Sequence, residues 1–154
     1  IKGLTHFVLM LRQDYKGTHA NQISFPGGKM EREDNSILAT ALRETEEEIG
    51  VPASQVKICR ALTPTYIPPS NFLVTPFVGS VDKTPDFVPD ATEVHSLFSV
   101  PLAQLLAPST RVTKTLSTSY AKQIDVPAFL LNNQVVWGAT AMILNEFYTL
   151  FKRL

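Results

Sequence analysis

The sequence predicts one α/β domain, and three observations point that way. The chain has 154 residues, inside the ~100–200 usual for a single domain. Hydrophobic residues make up 44% of it and charged residues 18%, which suits one packed core and not a disordered chain. Strand-like and helix-like apolar periods are mixed along it, with helices both early and late. An α/β sandwich around a mixed sheet accommodates that order better than an all-α or all-β domain. No internal repeat or low-complexity linker divides residues 1–154.

The elements follow in order. HFVLMLR, residues 6–12, is β-branched and aliphatic and reads as a buried strand. A loop carrying Asp14, Gly17 and Asn21 leads to a short strand at 22–25, which Pro26-Gly27-Gly28 ends abruptly. The clearest helix comes next. Asp34, Asn35 and Ser36 are all N-cap types, and Gly50 followed by Pro52 is a stop. At about 100° per residue, Leu38, Ala41, Leu42, Thr45 and Ile49 share one face. Glu44, Glu47 and Glu48 fall on another arc, roughly 120° away. Strands are expected at 56–62, 72–81 and 93–100, and a short helix opening at Pro101. Residues 126–137 read as a hairpin turning at Asn132-Asn133. The last helix, 138–151, should face inward with Met142, Ile143, Phe147 and Leu150.

Composition excludes several classes. Lys+Arg and Asp+Glu each number 14, so no basic excess points to nucleic acid or to a membrane surface. The single cysteine, Cys59, permits no intrachain disulfide and reads as a buried strand thiol in VKICRAL. No apolar run approaches the ~18–20 residues of a membrane span. No signal peptide is visible, but the sequence opens on Ile1 rather than Met, which leaves the natural N-terminus open; cytoplasmic placement is only the default expectation when no address is visible. The terminal Lys152-Arg153-Leu154 resembles a peroxisomal address only faintly, lacking its small first residue.

The acidic bunch between Glu44 and Glu48 carries more information than the net charge. Glu44, Glu47 and Glu48 stand at i, i+3 and i+4, so their carboxylates share a helical face at a cost of a few tenths of a kcal/mol per like-charged pair. Converging oxygen ligands suit hard cations such as Mg²⁺ or Mn²⁺. Zinc is not indicated, since one Cys and the three scattered residues His6, His19 and His95 offer no ligand spacing. A solvated acidic face is the plain alternative. The context favours chemistry: a Gly-Gly turn that can bring N–H groups close to phosphate stands before the helix, and Arg43 stands beside the carboxylates. A cation site beside a phosphate-binding loop suits diphosphate hydrolysis.

The segment GGKMEREDNSILATALRETEEEIGV resembles the Nudix box, G-x5-E-x7-R-E-U-x-E-E-x-G-U with U aliphatic. Arg43, Glu44, Glu47, Glu48, Gly50 and Val51 match in register. The box is one residue longer between the glycine and Arg43, Asp34 stands in place of the first Glu, and Thr45 holds an aliphatic position. The resemblance implies a Nudix-type α/β/α sandwich with a central mixed sheet and a metal-dependent diphosphate hydrolase. It implies Glu44, Glu47 and Glu48 as ligands of Mg²⁺ or Mn²⁺, with Arg43 orienting them. Arg43, Glu44 and Glu47 would be catalytic, joined by Glu93 as a later-segment glutamate assisting as ligand or base; an exposed loop glutamate is the alternative there.

LMLRQDYKGTHANQISFPGGK is similar to the upstream motif of coenzyme A diphosphatases in the same family. Arg12 and Phe25-Pro26-Gly27-Gly28 match; Asn21 stands where that motif has glycine, and its later basic residue is displaced to Lys16. YIPPSNFLVTPFVG and VWGATAMIL resemble the same subgroup. The resemblance implies a small nucleotide substrate, coenzyme A or a thioester of it, with Arg12, Phe25, Pro26, Gly27, Gly28 and Lys29 binding it. Lys16 and Arg111 are further candidates for its 3′-phosphate, and Trp137 for stacking, with surface and core roles as the alternatives. A diphosphatase for ADP-ribose or a dinucleotide, and a non-catalytic nucleotide sensor, are the competing readings. The sequence indicates no oligomeric state.

Overall fold

The computed structural model describes residues 4–13, 22–117 and 123–152. In chain order the elements are β1 (His6–Arg12), β2 (Ile23–Ser24), α1 (Ile37–Ile49), β3 (Lys57–Ala61), β4 (Thr65–Ile67), β5 (Phe72–Val74), β6 (Phe77–Ser80), β7 (Val94–Pro101), α2 (Leu102–Leu106), β8 (Arg111–Leu116), β9 (Ile124–Leu131), β10 (Gln134–Val136) and α3 (Gly138–Phe151). Helices and strands are mixed, as an α/β class requires. By Cα packing the chain forms two compact units, residues 9–97 and residues 1–8 with 98–154.

In the sheets, β1 lies between β2 and β7, β9 lies between β8 and β10, and β3–β6 and β4–β5 are two-stranded. The first unit buries Leu9, Met10, Ile49, Val51, Leu62 and Val94. Helix α1 begins because Ser36 is extended and its Oγ accepts from Ala39 N at 3.1 Å. It ends because Gly50 adopts φ 72°, a left-handed turn that leaves its own N–H on Glu46 O at 2.9 Å. The last carbonyls are then covered from outside the helix. Val88 N donates to Ile49 O at 3.1 Å, and Asp90 N donates to Glu48 O at 3.0 Å. Gly50 leaves room for this, since a Cβ there would strike Val88. The segment so pinned leads straight to Glu93, whose N–H donates to Asp90 O at 3.2 Å.

The other unit buries Val100, Leu105, Ala128, Phe129, Leu131, Val136, Ala141, Leu144 and Tyr148. Its hairpin turns at Asn132 and Asn133, both with positive φ, which Asn tolerates better than most residues. Phe7, Phe147 and Phe151 pack edge to face, with centroids 6.4 and 4.8 Å apart.

Several expectations are corrected. The apolar run 72–81 is not one strand but β5 and β6, separated at Thr75-Pro76, where proline has no N–H to continue a ladder. β4 and β8 were not anticipated. Cys59 is exposed rather than buried, because all five residues of β3 are exposed in its two-stranded sheet. In α3, Met142 points to solvent, and the buried positions are Thr140, Ala141, Leu144 and Tyr148. Pro101 occupies the N-cap of α2, one position before that expected. Asp14, Lys16, Gly17, His19, Asn21, Arg153 and Leu154 lie outside the described residues. Among those described, no helix is long and apolar enough to cross a membrane.

Candidate active site

Two guanidinium groups organise the acidic helix, and both lie in the unit of residues 9–97. Arg43 is the first. Its Nε meets Asp34 Oδ1 and its Nη2 meets Asp34 Oδ2, both at 3.0 Å, a two-pronged pair whose geometry is specific to arginine. Asp34 also accepts from Thr40 Oγ1 and Glu31 N, each at 2.9 Å. The Arg43 hydrogen bond holds the Asp34 carboxyl well below the usual carboxylate range, and Asp34 raises Arg43 in return. From that anchor Arg43 reaches Glu47 at 2.7 Å, Glu44 at 3.1 Å and Lys29 O at 3.2 Å. Asp34 is therefore a site residue that the sequence reading left out. The signal was present: Asp34 occupies the place of the first Glu of the box, and its shorter side chain still spans to Arg43.

The carboxylates differ in environment. Glu47 is exposed. Glu44 is half-buried against Gly28, whose missing Cβ would land inside the Glu44 carboxylate. Burial raises Glu44 above its ordinary value, Arg43 opposes that, and the negative charges of Glu47 and Glu93 add to it. Glu48 is 1% exposed, not on a solvated face. One oxygen accepts from Arg12 Nη1 at 2.9 Å and the other from Gly27 N at 2.8 Å. Arg12 Nη2 stands 3.5 Å from Glu93 Oε2, and Gln13 N donates to Glu93 O at 2.9 Å. The second guanidinium thus ties the end of β1 to the end of α1 and to the segment before β7, and Glu48 extends the tie to the turn at Gly27.

Thr45, unexpected at an aliphatic position, satisfies its hydroxyl on Ala41 O at 2.7 Å and stays half-buried. Phe25 and Pro26 are half-buried beside Gly27, and the Lys29 side chain is exposed. Arg111 belongs to the other unit, where it stacks 5.2 Å from the Tyr148 ring centroid and bonds Asn145 Oδ1 at 3.2 Å. Trp137, half-buried, is the N-cap of α3. His6 bonds Leu4 O and His95 is exposed; neither joins a cluster.

Glu44, Glu47, Glu48 and Glu93 offer hard oxygen donors, the chemistry that suits a divalent cation such as Mg²⁺ or Mn²⁺, and the missing Cβ at Gly28 is what gives the Glu44 carboxylate its space. Among the described residues, however, no three His, Cys, Asp or Glu are gathered as a ready cation cage. Arg12 and Arg43 hold the carboxylates instead.

Burial pushes the Glu48 carboxyl up to about 7, against the lowering by Gly27 N–H and Arg12. The folded protein therefore binds this proton more tightly than the unfolded chain. Its contribution to stability is full below about 4.5 and is lost as pH rises through about 7. In metal-free protein, Glu48→Gln should flatten the dependence of thermal stability on pH between 5 and 8, by on the order of a few kcal/mol. An unchanged slope in that variant, followed by calorimetry, would show that Glu48 is ionised throughout.

An arginine-anchored, glutamate-bearing helix preceded by a Gly-Gly turn defines a recognisable class. A model of the NUDIX domain matches residues 2–121, and the chain belongs to that family of diphosphate-cleaving hydrolases, which generally use divalent ions such as Mg²⁺ or Mn²⁺. It is 37% identical over 141 residues to a protein of Yersinia pestis (strain Pestoides F) named uncharacterized Nudix hydrolase NudL, covering 90% of this chain and 69% of that one. A protein of the same name from Yersinia pseudotuberculosis serotype O:1b (strain IP 31758) matches to the same extent. The crystal structure of a MutT/nudix family protein from Enterococcus faecalis is similar with a TM-score of 0.53 at 16% identity, over 96% of this chain. The chain spans 55% of that protein's length, and this likeness shows the expected Nudix-type α/β fold alone.

Proposed function

We propose that this chain, acting as one domain over residues 1–154, hydrolyses the diphosphate bond of coenzyme A or an acyl-coenzyme A, giving 4′-phosphopantetheine and adenosine 3′,5′-bisphosphate. The observation that carries the reading is the two-sided hold on Glu48. Arg12 of the β1 motif takes one oxygen and Gly27 of the Phe25-Pro26-Gly27-Gly28 turn takes the other, so that motif and the acidic helix make one hydrogen-bonded unit. The substrate assignment is supported by the likeness of residues 9–29 to the coenzyme A motif.

Glu44, Glu47 and Glu48 would hold Mg²⁺ or Mn²⁺. When bound, the ion supplies charge neutralisation at the phosphate oxygens and activation of the attacking water. Arg43, anchored by Asp34, holds Glu44 and Glu47 in place against their mutual repulsion. Glu93 is 53% exposed and shares the Arg12 guanidinium with Glu48, and it takes the proton of the attacking water. The turn from Phe25 to Gly28 shapes the loop that receives the diphosphate, and Lys29 and Arg12 supply positive charge to it.

A competition assay tests this. Coenzyme A, ADP-ribose and a dinucleoside polyphosphate at equal concentration are offered together with Mg²⁺, and products are identified by mass spectrometry. Preferential loss of coenzyme A is expected. Cleavage of another diphosphate with coenzyme A intact would reassign the substrate, and no cleavage of any of them would bring the non-catalytic nucleotide-binding reading to the front.

A further inference from the structure

We infer that the Arg12 guanidinium is an internal counter-cation, which a divalent ion displaces from Glu48 when it binds, releasing Arg12 from Glu93 as well. The inference rests on the metal site proposed above. Arg12 bridges one carboxylate at the end of α1 and one just before β7, with Nη1 2.9 Å from Glu48 and Nη2 3.5 Å from Glu93. The second Glu48 oxygen is occupied by Gly27 N–H, and the residue is 1% exposed. A buried carboxylate that is ionised without a countercharge is strongly unfavourable, so whenever Glu48 carries its charge something positive must sit beside it. A divalent ion and the guanidinium cannot both take that place on Glu48, because they repel at short range beside a carboxylate that is 1% exposed. Exchange keeps Glu48 compensated throughout.

The Arg12 side chain is 18% exposed, so it has a way out. Once released, its planar fork matches a phosphate oxygen pair, as it matched the carboxylates. Ion binding and diphosphate binding are then positively coupled through one side chain, and each strengthens the other by the same factor.

The experiment measures ion affinity without nucleotide. Mn²⁺ is titrated by calorimetry into the wild-type protein, Arg12→Met and Arg12→Lys. Arg12→Met should bind Mn²⁺ about 10-fold more tightly, within the usual span of such couplings. Arg12→Lys should lie between, since an ammonium makes a point contact rather than a fork. Independently, the ¹⁵N resonance of Arg12 Nε in the wild-type protein should move on adding Mg²⁺ and saturate with the ion's own Kd. If Arg12→Met does not fold, that resonance decides alone. Equal or weaker Mn²⁺ binding by folded Arg12→Met, or an Arg12 resonance unmoved at Mg²⁺ saturation, would overturn the exchange. Failure of the wild-type protein to bind either ion would remove the metal site itself. Tighter binding by Arg12→Met, with no diphosphate cleaved by the wild-type protein, would leave the exchange standing and take away only the activity.

Discussion

Glu47→Gln is expected to lower diphosphate turnover by about two to three orders of magnitude, the scale seen when one preorganised electrostatic contact is removed from an active site. The fold should hardly notice. Glu47 is 57% exposed at its side chain, and its ion pair with Arg43 is an i,i+4 contact on the helix surface. Pairs of that kind contribute about 0.2–1 kcal/mol, so the melting temperature should move by no more than about 4 °C. The amide keeps the size and one acceptor oxygen while removing the charge. Turnover near the wild-type level, with the fold intact by circular dichroism, would mean that the charge of Glu47 takes no part in the reaction.

Gly28→Ala should be nearly as damaging to activity and equally mild in stability, for a different reason. An added Cβ would land inside the Glu44 carboxylate, which is the free end of a flexible side chain and can swing away. The chain therefore survives, but Glu44 leaves its position beside Arg43, and turnover should drop about 100-fold. Gly27→Ala gives the contrast. Nothing lies within 4 Å of a Cβ there, but Gly27 has φ 150°, so the cost falls on the backbone, at least about 1 kcal/mol of stability. Parallel measurement of melting temperature and turnover in the two variants separates a position kept for Glu44 from one kept for chain geometry. Full activity in Gly28→Ala would show that Glu44 works from elsewhere.

How much of this is readable in the sequence depends on the range of the interaction. Helix α1 is legible at both ends because its signals are local: Ser36 caps Ala39, and Gly50 supplies the left-handed turn. The hairpin at Asn132-Asn133 is legible for the same reason. The acidic face is legible as a helical spacing, but its burial is not. Glu48 is taken inside by Arg12, 36 residues away, and by Gly27, 21 residues away, and no helical periodicity contains those partners. Asp34 looked like one of three possible caps. Only the structure separates it from Ser36, giving the cap to one and Arg43 to the other. Strand β8, RVTKTL, alternates only between exposed and half-buried positions, so it lacks the apolar rhythm that marks β1. In β3 the apolar alternation does mark a strand, yet Cys59 is exposed, as are the other four residues of that strand.

The most direct measurement follows coenzyme A by ³¹P NMR with the purified protein, first in EDTA and then with excess Mg²⁺. The diphosphate resonances should persist in EDTA and give way to monoester resonances only after Mg²⁺ is added. Diphosphate signals that remain in Mg²⁺, for coenzyme A and for every other nucleotide diphosphate offered, would contradict metal-dependent diphosphate hydrolysis by this site.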